Sequence, residues 1–173
     1  MKLDIPVKDV CEIPFGLKVK DLNHWKENTT RQEEYEQHQF TETIFLRFRK
    51  DLNTWFDFEL VDYPLMDFYR EDVEKHLKVL SEHYTFKDYA VIIANLKSGG
   101  VIPLHYDSGY YFESSHRVHI PIKTNEDVFF KIDSEIFNMK CGHAYEIDNV
   151  GSVHGVLNRS MEDRYHIIFD LFV

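Results

Sequence analysis

The chain has 173 residues but only two cysteines, Cys11 and Cys141, with no CxxC pair and no Cys–His cluster. That excludes a zinc ribbon and argues against a disulfide framework. Long hydrophobic runs are also missing. The longest apolar-rich stretch, YAVIIANL at 89–96, is far below the roughly 20 residues of a membrane span. The first residues, MKLDIPVKDV, lack an apolar core of signal-peptide length. The expectation is a cytoplasmic protein in a reducing compartment, with no membrane partner. Basic charge is scarce, with 20 Lys and Arg against 30 Asp and Glu and a net charge of -10. This disfavours nucleic acids and anionic lipid, where neutralising phosphate supplies most of the affinity. A small anion in a local basic pocket stays compatible. There is no internal repeat and no low-complexity tract, and nothing in the sequence specifies an oligomeric state.

What the chain does contain is apolar and aromatic. Hydrophobic residues make up 43% and aromatics 15%, including 14 Phe and 10 Tyr, which points to a sheet-rich interior because rings pack well on pleated surfaces. The length fits one domain over 1–173. Residues 1–88 supply strands and a helix that pack on the barrel, and 89–173 form its core. TIFLRFRK alternates, with Ile44, Leu46 and Phe48 on one face and Arg47 and Arg49 on the other, as in a half-buried strand. Residues 23–40 are polar throughout and read as a solvated loop or short helix. Residues 67–84 carry Val73, Leu77, Leu80 and Tyr84 at helical spacing. Strands are expected at about 89–96, 102–107, 117–123, 127–132, 143–148, 153–158 and 164–172. Many short strands after an early helix predict a mainly β fold with flanking helices, a cupin-like jelly roll.

The stretch PLHYDSGYYFESSHRVHIPI, residues 103–122, concentrates polar chemistry. His105 and Asp107 are two apart, and on a strand such residues point the same way, so both can reach one ion. A His-x-Asp pair is weak by itself: with 10 His and 15 Asp in the chain, about one is expected by chance. A third ligand has to come from elsewhere. His154, in SVHGVLN, lies 49 residues after His105 on a later predicted strand. Two histidines and one carboxylate on one face, with positions left open, form the donor set of non-haem Fe(II) oxygenases. Two alternatives stay open. The histidines can be structural residues at strand ends, and a zinc hydrolase would use similar ligands with a general base nearby. His116 and His119 are separated by an odd number, face opposite sides of a regular strand, and do not pair.

Arginines follow. In RVHIPI, Arg117, His119 and Pro121 share one face while Val118, Ile120 and Ile122 share the other. Arg164 opens RYHIIFDLF, ten residues after His154, on a face that also carries His166, Ile168 and Asp170. The planar guanidinium fork grips carboxylates in pockets. Two internal arginines near a metal can serve a dicarboxylate, one for each end. The alternative for each is a surface residue or a salt bridge to one of the 30 acids.

Taken in order, His105-x-Asp107, Arg117-x-His119 and His154-x9-Arg164 resemble the aspartyl/asparaginyl β-hydroxylase family of Fe(II)/2-oxoglutarate dioxygenases, which includes free-proline hydroxylases. The resemblance covers about residues 90–172, through GGVIPLHYD, RVHIPIKTN, HAYEIDNVGSVHGVLNRS and DRYHIIFDLF. It implies a double-stranded β-helix with the metal inside. It implies Fe(II) on His105, Asp107 and His154, and O2 as co-reactant. It places Arg164 on the distal carboxylate of 2-oxoglutarate, and Arg117 and His119 near the 1-carboxylate or the adjoining substrate space. Asn95, on the preceding strand, is a further candidate to face the cosubstrate. Asn158 and Asp170 are candidates to orient the ligand histidines. Tyr110, Tyr111 and Phe112 are candidates for a lid, or simply anchors of their loop.

The implied reaction is hydroxylation of an amino acid, with release of succinate and CO2. Members acting on protein substrates carry an arginine two positions before the Arg-x-His pair and lack the carboxylate ligand. Here that position is Ser115, and Asp107 is kept. Both features look more like the free amino acid hydroxylases, which predicts a small proline-like substrate. The competing readings are a hydroxylase of Asp, Asn or another side chain in a protein or peptide, and a cupin-like binding module without turnover.

Overall fold

Two antiparallel sheets make up the architecture of the computed structural model, which describes residues 5–29, 39–52 and 58–173. The larger sheet runs in the order β1 (Val7–Glu12), β9 (His143–Ile147), β6 (Ser115–Lys123), β11 (Arg164–Phe172), β4 (Asp88–Leu96), β2 (Thr41–Arg49), β3 (Leu60–Asp62). The smaller is β5 (Val101–His105), β10 (His154–Asn158), β7 (Val128–Ile132), β8 (Glu135–Phe137). From β4 onward the chain keeps crossing between the sheets, and this produces the jelly roll that the strand pattern predicts. Two helices are present among the described residues, α1 (Met66–Leu80) and the short α2 (Tyr110–Glu113), with a 3₁₀ turn at Leu22–Lys26. The polar segment expected at 23–40 thus begins in that turn. Residues 30–38 lie outside the described residues.

Period-two alternation on β11 explains both faces of the large sheet. Ile167, Phe169 and Leu171 point outward into a cluster with Val91, Ile93, Val118 and Ile120, covered by Met66, Tyr69, Val73 and Leu80 of α1 and by Trp25. Ile168 and Phe172 point inward, with Phe45, Phe48, Ile92 and Tyr111. A third cluster, including Leu96, Phe130, Ile132, Ile147 and Val156, joins the two sheets. Arg164, His166 and Asp170 share the inward face of β11, so the strand brings charge into the barrel among apolar neighbours.

Two expectations need correction. β2 is buried on both faces: Phe45, Leu46 and Arg49 are all buried. A register shift against β4 between Phe45 and Arg47 turns Phe48 to the side of Phe45 and away from Ile44 and Leu46. The helix stops at Leu80, four residues short of Tyr84. Tyr84 still packs against the outward cluster and donates its hydroxyl to Glu146 at 2.9 Å.

Candidate metal centre

β5 ends at His105 and β10 begins at His154, and antiparallel pairing sets these two residues directly opposite each other. Their rings are 4.4 Å apart. The approach depends on Gly155, where a Cβ would stand 2.8 Å from the Ile102 carbonyl oxygen. The sequence expectation ran β5 on to residue 107, but the strand stops at His105. Asp107 is returned to the site by its backbone N–H, which donates to the Asn149 carbonyl at 3.0 Å. One ligand atom from each of His105, Asp107 and His154 lies within 4.8 Å of the others.

The protons on the two imidazoles follow from their partners. His105 Nδ1 lies 2.8 Å from the Pro103 carbonyl, and His154 Nδ1 lies 3.2 Å from the Ser152 carbonyl. A carbonyl only accepts, so each Nδ1 carries a hydrogen, and in the neutral ring Nε2 is the atom with the free lone pair. Both Nε2 atoms are near the carboxylate of Asp107, at 3.7 and 3.9 Å. Burial pushes His154 below its ordinary basicity and favours the neutral form that a metal requires. Two imidazole nitrogens and one carboxylate are a donor set that fits a divalent iron.

The third ligand is held by a chain of charges. Arg117 donates from Nη1 to Asp107 Oδ2 at 3.0 Å. Its Nε and Nη2 form a fork on Asp170 at 2.8 and 2.9 Å. Asp170 accepts a further bond from the Tyr111 hydroxyl at 2.7 Å, and Asn149 Nδ2 donates to Asp107 Oδ2 at 2.9 Å. Burial opposes ionisation of Asp107, but Arg117, His154, Asn149 and His105 outweigh it and hold the carboxyl below its usual range. For Arg117, burial is likewise outweighed by Asp170 and Asp107, which keep it fully charged.

Arg164 is in the opposite situation. It is only 2% exposed, its Nε is buried without a partner, and it forms no ion pair among the described residues. Its guanidinium lies 5.3 Å from the centre of the Phe130 ring. Burial alone pushes it down to about 9. A buried cation with no counter-ion costs several kcal/mol, and an anion placed beside Arg164 would offset that cost. His119 and His166 sit beside it, each with a buried Nε2 that has no partner. A lone guanidinium flanked by unpartnered imidazole nitrogens fits the distal carboxylate of 2-oxoglutarate.

The sequence profile of the aspartyl/asparaginyl β-hydroxylases matches residues 16–172. The chain belongs to this family. The match extends well into the N-terminal half, beyond the region where the motifs lie. An oxidoreductase of the 2-oxoglutarate/Fe(II) oxygenase family from Burkholderia pseudomallei has a similar fold, with a TM-score of 0.57 at 12% identity, covering 76% of this chain and 67% of that one. A cupin 2 conserved barrel protein from Salinispora arenicola is more distant, with a TM-score of 0.38 at 13% identity over 50% of this chain and 66% of that one. No curated protein is significantly similar. As an aspartyl/asparaginyl β-hydroxylase family member the chain is a dioxygenase, with Fe(II), 2-oxoglutarate and O2 as its cofactor set. Its substrate is of the amino acid or peptide side-chain type.

Within this hydroxylase fold the expected site residues separate. His105, Asp107 and His154 converge, and Arg117, His119 and Arg164 line the same interior. Arg117, however, has its fork engaged by Asp170 and Asp107, so one arginine and not two is left for an incoming carboxylate. Asn95 does not face this space. It pairs with Tyr165, on the outward face of the sheet, and donates to Glu42 and Asp163 at 3.0 and 3.1 Å. Asn158 donates to the carbonyls of Leu96, Lys97 and Glu162, tying the end of β4 to the β10–β11 turn, and Asp170 orients Arg117 where a histidine was expected. Of the three lid aromatics, Tyr111 and Phe112 are buried anchors and only Tyr110 is exposed. Phe112 lies under the Arg117 guanidinium at 4.6 Å. His116 belongs outside the barrel, paired with Glu146. Asn149 escaped sequence reasoning because a turn asparagine between β9 and β10 carries no periodic signal.

Proposed function

We propose that this dioxygenase hydroxylates a small free amino acid of the proline type, with His105, Asp107 and His154 holding the iron and Arg164 holding the distal carboxylate of 2-oxoglutarate. The observation that carries the cosubstrate part is the contrast between two arginines of the barrel interior, the partly buried Arg117 and the buried Arg164. Arg117 is neutralised by two carboxylates, while Arg164 has none. The preference for a free amino acid is supported by two features. Asp107 is present as a carboxylate donor. Ser115, at the position of the extra arginine of the protein-directed members, spends its hydroxyl on the Tyr111 carbonyl at 3.0 Å.

Bound together, iron, 2-oxoglutarate and dioxygen supply an oxidative decarboxylation coupled to C–H hydroxylation, with succinate and CO2 released. The protein's part is preorganisation. The carbonyls of Pro103 and Ser152 fix the histidine tautomers and aim both Nε2 lone pairs inward. Arg117 and Asn149 hold Asp107 anionic and in place. Tyr111 and Phe112 close the inner end of the barrel against water.

The test is a turnover screen with Fe(II), 2-oxoglutarate and O2 across free amino acids and short peptides, proline first, reading succinate and a product one oxygen heavier. Succinate formation driven by a free amino acid is the expected result. Turnover only with peptides overturns the substrate assignment. No succinate under any condition overturns the catalytic reading in favour of a binding module.

A further inference from the structure

His119 and His166 form a buried pair, with Nδ1 to Nδ1 at 3.4 Å and both Nε2 atoms unpartnered. Burial, reinforced by nearby positive groups, pushes both rings far below their ordinary basicity, so both are neutral. Two neutral imidazoles that share one N···N hydrogen bond place a single proton between them. The ring that gives its Nδ1–H keeps a bare Nε2. The ring that accepts must carry its proton on Nε2. The two Nε2 atoms are therefore one donor and one acceptor, never two donors.

Position decides which ring is the donor. His166 is two residues from Arg164 on the same face of β11, and the positive groups acting on it are Arg164 and His119. His119 sits on β6, toward the metal end, under the influence of Arg117 and His154 as well as Arg164. Phe130 backs both rings and the guanidinium. We propose that His166 is a specificity-determining residue that donates its Nε2–H to the same ligand carboxylate as Arg164, in a tautomer set by the Nδ1–H of His119. This rests on the cosubstrate assignment above. It means that the distal carboxylate is recognised by one cation and one neutral imidazole, and that His119 faces the middle of the pocket as an acceptor.

Binding to Fe(II)-loaded protein under anaerobic conditions provides the test, with 2-oxoglutarate and 2-oxopentanoate compared. The second ligand keeps the chelating end and lacks the distal carboxylate. His166→Phe is expected to weaken 2-oxoglutarate on the order of 10- to 100-fold, the range for a lost hydrogen bond to a charged group, and to leave 2-oxopentanoate unchanged. His166→Gln, which keeps a donor, is expected to recover part of the loss and covers the case in which the Phe variant fails to fold. Equal weakening of both ligands, or no weakening of 2-oxoglutarate, overturns the proposal. In the Zn(II) protein with 2-oxoglutarate, ¹⁵N histidine spectra should show His166 protonated at Nε2 and His119 at Nδ1, and the reverse assignment also overturns it. If the wild-type protein binds no 2-oxoglutarate, the cosubstrate reading itself fails, which is a different result from a silent His166 variant.

Discussion

Arg164→Met should make the ligand-free protein more stable while removing its response to 2-oxoglutarate. Burial pushes Arg164 well below the ordinary guanidinium range, down to about 9. At about 1.4 kcal/mol for each tenfold change in proton affinity, keeping it charged in the fold costs on the order of 5 kcal/mol. The sign is that of a cation disfavoured by the fold, so the cost is full below about 9 and applies at neutral pH. Methionine keeps much of the aliphatic stem and loses the charge. Against the gain stand a smaller side chain and the contact with Phe130, together about 1–2 kcal/mol. A net gain of a few kcal/mol corresponds to a rise in Tm of roughly 5–10 °C for a chain of this size. Wild-type protein at about 100 times the ligand's Kd gains about 2.7 kcal/mol, and the variant should gain almost none. Thermal melts of both proteins with and without 2-oxoglutarate, monitored by circular dichroism, provide the comparison. A variant that melts well below wild type without ligand would refute the reasoning, because it would show that Arg164 stabilises the fold and does not wait for an anion.

Three further outcomes follow from the same geometry. Arg117→Met should behave in the opposite way and destabilise by about 3–5 kcal/mol, because Asp107 and Asp170 would become unpaired buried carboxylates; urea unfolding that shows no loss would break the charge-chain argument. His154→Ala should lose Fe(II) while keeping its far-ultraviolet circular dichroism, since the ring's neighbours are the other two site residues and the Ser152 carbonyl; metal that still binds stoichiometrically would exclude His154 as a ligand. Stability should decline as pH drops below about 6.5, because burial depresses His76, His119 and His166 and the unfolded chain takes up protons that the fold refuses. The slope should reach about 1.4 kcal/mol per pH unit for each histidine still neutral in the fold, and equal urea midpoints at pH ~7.5 and ~5.5 would contradict it.

Much of this was legible along the chain, for a physical reason. Strand periodicity sorts side chains to two faces without reference to the rest of the fold, so Arg164, His166 and Asp170 could be placed together from RYHIIFDLF alone. The same rule kept His116 apart from His119. It failed where pairing breaks the period. The register shift in β2 moved Phe48 to the other face, and β5 stopped short of Asp107. Asn95 was misjudged because the sequence gives a period but not its phase: adjacent residues on β4 look alike until the sheet's inner side is known.

The sequence by itself determined the jelly-roll class, the family and the three residues of the candidate metal centre, because each depends on local periodicity or on residue types at set spacings. Only the tertiary structure decided which arginine is already paired. That depends on which carboxylates lie within about 3 Å, and Asp170 reaches Arg117 across neighbouring strands while nothing among the described residues pairs with Arg164. Charge compensation inside a protein is a matter of distance and burial, and neither quantity is written along the chain.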